Sequence, residues 1–554
     1  MKYNNKKITF IITALTILFA IVVTTLPHNV HAQDEEQEPR QRVNIVLVGA
    51  TGNLAKKYLW QSLFRLFKET IITPNAPSFV VWPAASKPAS TASGMLEEIL
   101  EKNIECVLGV DFVVRADMAI CEGDRHYFIK KVVRPYTQLR KDIHYKELND
   151  KINEDMVNDG GADVVQSEAG RLFYLSIPPK FYKSIAKSIN DHSRPKDIAW
   201  LRVVLEKPFG SDVDTARDLS NSLTEHLKED EIYRIDHYLG KLGVQSLYDF
   251  RVKNRNVYEQ YLNNKYVERV EVVMKETEDC AGRTKFYNQY GVIRDVLQNH
   301  LTEMAALIAM DLPDEKSLTD SREIIQSKIS FLQHVSPPTI DDAVLGQYDG
   351  YRSHHSNDVP EKDAREAAKT RQVTFASVKL NVDSKRWKGV PFILTAGKVL
   401  DERAAYVRVV FKHKTNAEII FNVQGGKLGT RISATSEAEP FIVPNGYISV
   451  PSDKDPEAVT TDAKPLDTPV KNAYEVLVAD IFFGRKENFV GTASLLQSWK
   501  VWTPLLKEYD DESTKIHTPI LYSIGGKEVF KSVREKNWRS ENVHDNDAKK
   551  SNEL

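Results

Sequence analysis

The chain changes its hydrophobic period sharply near its start. "VNIVLV" (Val43–Val48) is an unbroken apolar run of strand length. "GATG" follows, and then apolar or small residues recur at Ala55, Leu59, Ser62, Leu63, Leu66 and Phe67, close to helical spacing. This pattern predicts a buried strand, a glycine turn and an amphipathic helix. "SFVVWPA" is a second short strand, and a charged, helix-rich stretch follows to about residue 165. "RLFYLSIPP" and "WLRVVLEKPFG" are near-continuous apolar strands, each followed by a helical pattern. Strands buried on both faces and separated by helices belong to a parallel α/β sheet.

After Tyr233 the texture changes. "ERVEVVMKET", "FASVKLNV", "YVRVVFKH" and "EIIFNVQ" alternate or run β-branched, as antiparallel strands packed on one face do. The long helical pattern "GVIRDVLQNHLTEMAALIAMDL" lies among them. The fold class expected is α/β followed by α+β: a dinucleotide-binding Rossmann domain over 33–235, then a β+α domain with a large, mainly antiparallel sheet over 236–524. The polar segments 355–370 and 452–470 read as loops, and 525–554 as a polar, mobile tail. No internal repeat is visible.

The first 32 residues form a unit of their own. Lys2, Lys6 and Lys7 precede an uncharged apolar run from Ile8 to Leu26, and Val30 and Ala32 stand at the positions a signal peptidase reads. This is the pattern of a secretory signal peptide over 1–32, with an uncleaved anchor as the alternative. After cleavage no membrane association is expected, and the protein matures in the secretory pathway. The final "SNEL" is a poor match to a retrieval tail.

Formal net charge is −2, so no cationic footprint for nucleic acid exists and that class is excluded. Three cysteines are too few for a disulfide scaffold. In an oxidising lumen Cys106 and Cys121 are close enough to pair, closing a loop of about 15 residues worth ~3 kcal/mol. Two buried thiols are the alternative reading, and Cys280 is left over. No N-x-S/T sequon occurs.

Three motifs carry candidate chemistry. Gly49, Ala50, Thr51, Gly52, Asn53 and Leu54 form the turn between the first strand and helix, where backbone N–H groups and the helix dipole hold a pyrophosphate. The GxxG spacing by itself is also that of a simple tight turn. The second strand ends in "WPAASKP", with no carboxylate for ribose hydroxyls and with Lys87 nearby, which points to NADP or to tolerance of NAD. In "EKPFG", Lys207 stands at the carboxyl end of a parallel strand, where such sheets bind ligands; a surface lysine is the alternative. "RIDHYLGK" spaces Arg234, His237 and Lys241 so that a helical turn places all three on one face. His300 has apolar helical neighbours at Ile293, Val296, Leu297, Met304 and Leu307, so periodicity reads it as a core residue. Its chemistry also suits a general base. No metal set is indicated.

"RIDHYLGK", "EKPFG", "GVIRDVLQNHLTE", "GVPFILTAGKVLDER" and "SWKVWTPLL", in that order, resemble the glucose-6-phosphate dehydrogenase family, and within it the branch found in the lumen of the endoplasmic reticulum. "GATGNLAKKYLWQSLF", "AWLRVVLEKPFG" and "VERVEVVMKETED" carry the likeness to that branch. The resemblance spans about residues 43–506. It implies oxidation of a hexose 6-phosphate at C1 with hydride transfer to NADP, and a homodimer or tetramer. It implies that His300 is the base and Asp236 its orienting carboxylate. It further implies that His237, Tyr238 and Lys241 grip the phosphate, that Lys207 touches substrate and cofactor, that Glu276, Asp295 and Lys398 bind the sugar, and that Tyr174 contacts the cofactor.

Three departures from the family pattern stand out. Asn53 replaces an Asp, which caps a helix equally well. Ser86 with Lys87 stands where cytosolic members carry an Arg for the 2′-phosphate, so relaxed NADP/NAD choice is expected. Residues 507–554 are too few for the lactonase domain that animal members of this branch carry, so the lactone is expected to be released unhydrolysed. The competing readings are a non-catalytic NADP-binding homologue and another two-domain sugar oxidoreductase.

Overall fold

The computed structural model describes residues 41–106, 115–159, 167–196, 198–412, 417–424, 429–433, 471–511 and 518–540. The signal-peptide segment, the 452–470 loop and the terminal "SNEL" lie outside the described residues.

Strands β1 (Arg42–Val48), β2 (Ser78–Ala85), β3 (Thr137–Gln138), β4 (Glu168–Leu175), β5 (Trp200–Glu206) and β6 (Ile232–Ile235) form an all-parallel sheet in the order β3-β2-β1-β4-β5-β6. That is the Rossmann order, with its switch point between β1 and β4. β1 is buried along its whole length, which is why its sequence does not alternate. Val43, Ile45 and Leu47 pack on one face with Leu59, Leu63 and Leu66 of the first helix. Val46 and Val48 pack on the other face with Leu148, Ile152, Ala186 and Ile189.

The second sheet has nine strands: β7 (Val267–Lys275), β8 (Val335–Ser336), β9 (Ala343–Tyr348), β10 (Phe375–Val382), β11 (Phe392–Gly397), β12 (Ala404–Phe411), β13 (Glu418–Gln424), β14 (Gly429–Ser433) and β15 (Ile520–Tyr522). Its order is β14-β13-β12-β7-β11-β10-β9-β15, with β8 on β10. Among the described residues, only the β7–β11 and β9–β15 pairs of this sheet are parallel. β12 and β13 alternate buried and half-buried residues, as one-sided sheets do. The α/β plus mainly antiparallel α+β class is therefore the fold observed.

Three local readings change. Residues 351–358 and 361–367 are short helices rather than a loop; Tyr351 and His355 are buried on the first of them. The expected tail from 525 contains a helix, Lys527–Glu535. Its polar composition hides an apolar stripe: Val529 is fully buried, and Phe530 meets Phe375 at 5.6 Å edge to face. Finally, helix Ala473–Phe483 comes from the far end of the chain but packs on the first sheet's outer layer. Tyr474 stacks on Tyr58 at 5.0 Å, and Phe482 meets Phe79 at 5.5 Å. Cys106 and Cys121 are joined by a disulfide; Cys280 is a buried free thiol, pushed up to about 12 by burial.

Candidate active site

Two pairs of parallel strands build the site, and each delivers residues just past its carboxyl end. β5 and β6 pair with Glu206 opposite Ile235, so the next residues, Lys207 and Asp236, emerge side by side. β7 and β11 pair with Lys275 opposite Gly397, so Glu276 and Lys398 do the same and join in an ion pair of 2.6 Å. The carboxyl ends of parallel strands are where open α/β sheets place ligands. The Lys207–Pro208 peptide is cis.

The fifth contributor is the helical segment Ile293–Leu301. The helix begins after Gly291, whose φ of 63° breaks the preceding turn. That positive φ favours glycine here, and a Cβ would also require the Gln372 side chain, 2.1 Å away at Oε1, to shift. The segment is wound with π-type i→i+5 hydrogen bonds. At 3.6 residues per turn, positions five apart diverge by about 140°. Wider π winding turns Asp295 and His300 toward the same side, and Lys207 Nζ touches both.

His300 is buried and bonds through Nδ1 to Asp236 Oδ1, which also accepts the Tyr238 N–H at 3.0 Å. Lys207 Nζ lies 3.0 Å from His300 Nε2, 3.1 Å from Asp295 Oδ1 and 2.8 Å from the Asp295 carbonyl. An ammonium only donates, so Nε2 accepts and the imidazole proton sits on Nδ1, aimed at Asp236. Burial, and then the neighbouring Lys207 charge, holds His300 well below an ordinary histidine. Burial pushes Asp236 up. The imidazole is thus neutral, in one tautomer, with its basic nitrogen on the cleft side.

Around it lies a cleft of about 490 Å³, within the range of small-molecule sites. His237, Tyr238, Lys241, Glu276, Asp295 and Lys398 all line it. The Tyr238 ring stacks on His300 at 4.3 Å, and Lys241 Nζ sits 3.5 Å above the Tyr238 ring. Burial, and then Arg403, lowers Lys241 to about 8. Lys241 and Tyr238 both donate to Gln424 Oε1.

Arg234 is a correction. It lies on strand β6 rather than on a helical turn, is buried, and binds Glu229 at 2.9 Å, so the expected three-cation face does not form. Among the cleft residues that escaped the sequence reading are Arg283, Arg403, Gln424 and Tyr474. Arg403 and Gln424 carry a usable signal, since both are polar residues near ends of alternating strands.

Gly49 has φ 91°, and a Cβ there would stand 2.2 Å from the Ser176 carbonyl. The Gly49 and Ala50 amides bond Ala84 O at 2.7 and 3.1 Å, which locks the turn against β2. The opening N–H groups of a helix have no partner within it, and here they follow that turn directly. Tyr174, at the end of β4 beside the switch point, donates to Glu206 Oε1 at 2.6 Å. Ser86 and Lys87 follow β2, with no carboxylate at its end. The glycine turn and a β2 end without a carboxylate are compatible with a phosphorylated dinucleotide, which the residues Gly49–Leu54, Ser86, Lys87, Tyr174 and Lys207 could hold.

Comparison with known proteins agrees with this geometry. Residues 46–246 match the description "Glucose-6-phosphate dehydrogenase, NAD binding domain", and residues 248–539 match "Glucose-6-phosphate dehydrogenase, C-terminal domain". The chain is 38% identical over 509 residues to the human GDH/6PGL endoplasmic bifunctional protein, covering 87% of this chain and 61% of the relative's length. It is 31% identical over 527 residues to Arabidopsis thaliana glucose-6-phosphate 1-dehydrogenase 3, chloroplastic, covering 91% and 82%. A solved glucose-6-phosphate dehydrogenase in complex with glucose 6-phosphate superposes with a TM-score of 0.69 at 26% identity, covering 88% of this chain and 95% of that one. Matched across both sheets and in order along the sequence, the chain belongs to the glucose-6-phosphate dehydrogenase family.

Proposed function

We propose that the protein oxidises the C1 hydroxyl of a hexose 6-phosphate, glucose 6-phosphate foremost, to the 1,5-lactone, with NADP as hydride acceptor. The observation that carries this is the neutral His300, fixed by Asp236 on one nitrogen and addressed by Lys207 on the other, at the wall of a cleft rich in cations.

His300 Nε2 takes the C1 hydroxyl proton while Asp236 stabilises the imidazolium that forms. The pair freed from the O–H bond becomes the second C1–O bond as the C1–H pair leaves as hydride, for which NADP, held at the Gly49–Leu54 turn, would supply the acceptor. Lys207 balances the developing oxyanion and shifts from Nε2 to the sugar oxygen as the hydroxyl enters. Lys241, His237 and Tyr238 hold the phosphate, a dianion that needs charge-assisted donors. Arg403, which lines the same wall, adds a further cation. Glu276, Asp295 and Lys398 receive the sugar hydroxyls.

The same reading places the protein in the secretory pathway, in the lumen of the endoplasmic reticulum, with export as the alternative. The signal-like N-terminus, the Cys106–Cys121 disulfide and the name of the human relative support it. Assembly as a homodimer or tetramer belongs to this reading through the family resemblance.

The test is to mix purified residues 33–554 with glucose 6-phosphate and follow nicotinamide reduction, with NADP and NAD in parallel. Reduction supports the dehydrogenase. Folded protein that binds NADP and reduces it with no hexose phosphate sinks the proposal.

A further inference from the structure

Asp236 bonds through Oδ1 only. Its Oδ2 is buried and has no hydrogen-bond partner among the described residues. Asp236 also lines a second, water-sized cavity of about 30 Å³, shared with Gln298, Glu303 and Ser498. That volume admits a water, and the walls supply the polar atoms a buried water needs.

Glu303 lies one turn beyond His300 on the same helix and pairs with Lys328 at 2.9 Å. Lys328 comes from a separate helix, Ser321–Gln333. Their side chains are 6% and 1% exposed. Ser494 approaches the other Glu303 oxygen at 3.4 Å. A buried ion pair is poor value for stability, because desolvating two charges offsets most of their attraction, and apolar replacements of equal volume are often neutral or better. Its position behind the dyad calls for another account.

We propose that Glu303 and Lys328 are positioning residues for the Asp236–His300 dyad. Lys328, anchored by Glu303 on the wall of the cavity that Asp236 shares, keeps Asp236 ionised and so sets how strongly His300 holds its proton. The inference rests on His300 serving as the base in the proposed reaction. Burial drives Asp236 toward its neutral form; His237, Lys207, the Tyr238 N–H and Lys328 oppose this, in that order. The other charged groups facing the dyad are Asp295 and Lys241, which act on His300, and Glu206, which interacts with Asp236. Of all these, only the Glu303–Lys328 pair lies outside the substrate cleft and cofactor side, so it can be altered without touching either ligand.

The experiment compares wild type, Glu303→Gln and Lys328→Met in the full chain. The His300 imidazole is titrated by NMR with labelled histidine, its signal assigned from its loss in His300→Asn, alongside the pH profile of kcat/KM. Glu303→Gln leaves the Lys328 charge uncompensated, which holds Asp236 more firmly as the carboxylate that stabilises the imidazolium, so His300 titrates higher by about half a pH unit or more. Lys328→Met leaves Glu303 uncompensated and moves it the other way. Each variant is read on folded protein, and either one decides if the other does not fold. A folded variant whose His300 titrates as in wild type overturns the proposal. The NMR readout needs no turnover, so an inactive wild type would count against the dehydrogenase reading alone.

Discussion

Lys207 and His300, 93 residues apart in sequence, meet at 3.0 Å between Nζ and Nε2. Because the ammonium can only donate, this contact and the Asp236 contact on Nδ1 together select one neutral tautomer before any substrate arrives. A base prepared in this way is preorganised, and its loss has defined consequences.

Replacing His300 with Asn removes the proton acceptor and keeps a polar side chain. We expect kcat to fall by about 10²–10⁴-fold, the usual contribution of a general base, with little change in KM. Steady-state kinetics with glucose 6-phosphate check this, and a fall below tenfold would reassign the base.

The pH profile of kcat/KM should have two limbs. His300 works unprotonated and is held low by burial and Lys207, so activity persists below the range of an ordinary histidine and falls only as pH drops through its depressed value. Lys241 works protonated and titrates near about 8 in the free protein, so affinity declines as pH rises through that value. A profile still climbing above pH 9 would contradict the Lys241 assignment.

Changing Lys241 to Met should raise KM for glucose 6-phosphate by about 10–100-fold, the range of a lost charge-assisted hydrogen bond. Turnover of unphosphorylated glucose should be unaffected. Equal losses on both substrates would mean that Lys241 shapes the cleft rather than binding phosphate.

Ser86 and Lys87 offer a point charge where a guanidinium would offer a fork. Both NADP and NAD should therefore be reduced, and Ser86→Arg should raise the NADP preference. Strong rejection of NAD by the wild type would refute this.

Glu206 is raised to about 7, chiefly by burial. A carboxyl raised on folding binds its proton more tightly in the folded state. Its protonation therefore favours the fold fully below about pH 4.5, and that advantage is lost as pH rises to about 7. Relative to Glu206→Gln, the wild type should lose Tm between pH 4.5 and 7 and then level off. A pH-independent difference in Tm would show that Glu206 is not shifted.

Much of this was legible in one dimension. The apolar run Val43–Val48 before a glycine turn specifies a doubly covered strand and its helix, because burial on both faces removes alternation. The alternation in Ala404–Phe411 and Glu418–Gln424 specifies one-sided strands in the same way. The order of short motifs brought His300, Asp236 and Lys207 into one site by resemblance. Helical periodicity placed His300 in the core, and it is buried there; what periodicity could not show is that its ring nitrogens meet Asp236 and Lys207 from two distant strands. The stripe of Val529, Phe530 and Val533 was hidden among charged residues, and the helix that carries it was read as tail.

What the sequence determined by itself is the local layer: periods, breaks, and which residue types end each strand. What only the tertiary structure decided is which strand ends are neighbours. Lys207 meets Asp236, and Glu276 meets Lys398, because parallel pairing aligns carboxyl ends from distant segments. Arg234 leaves the cleft because strand pairing turns it toward Glu229. Arg403 and Gln424 enter the cleft because their strands end beside it. Pairing register is a property of the assembled sheet, set by long-range burial, and no window of residues contains it.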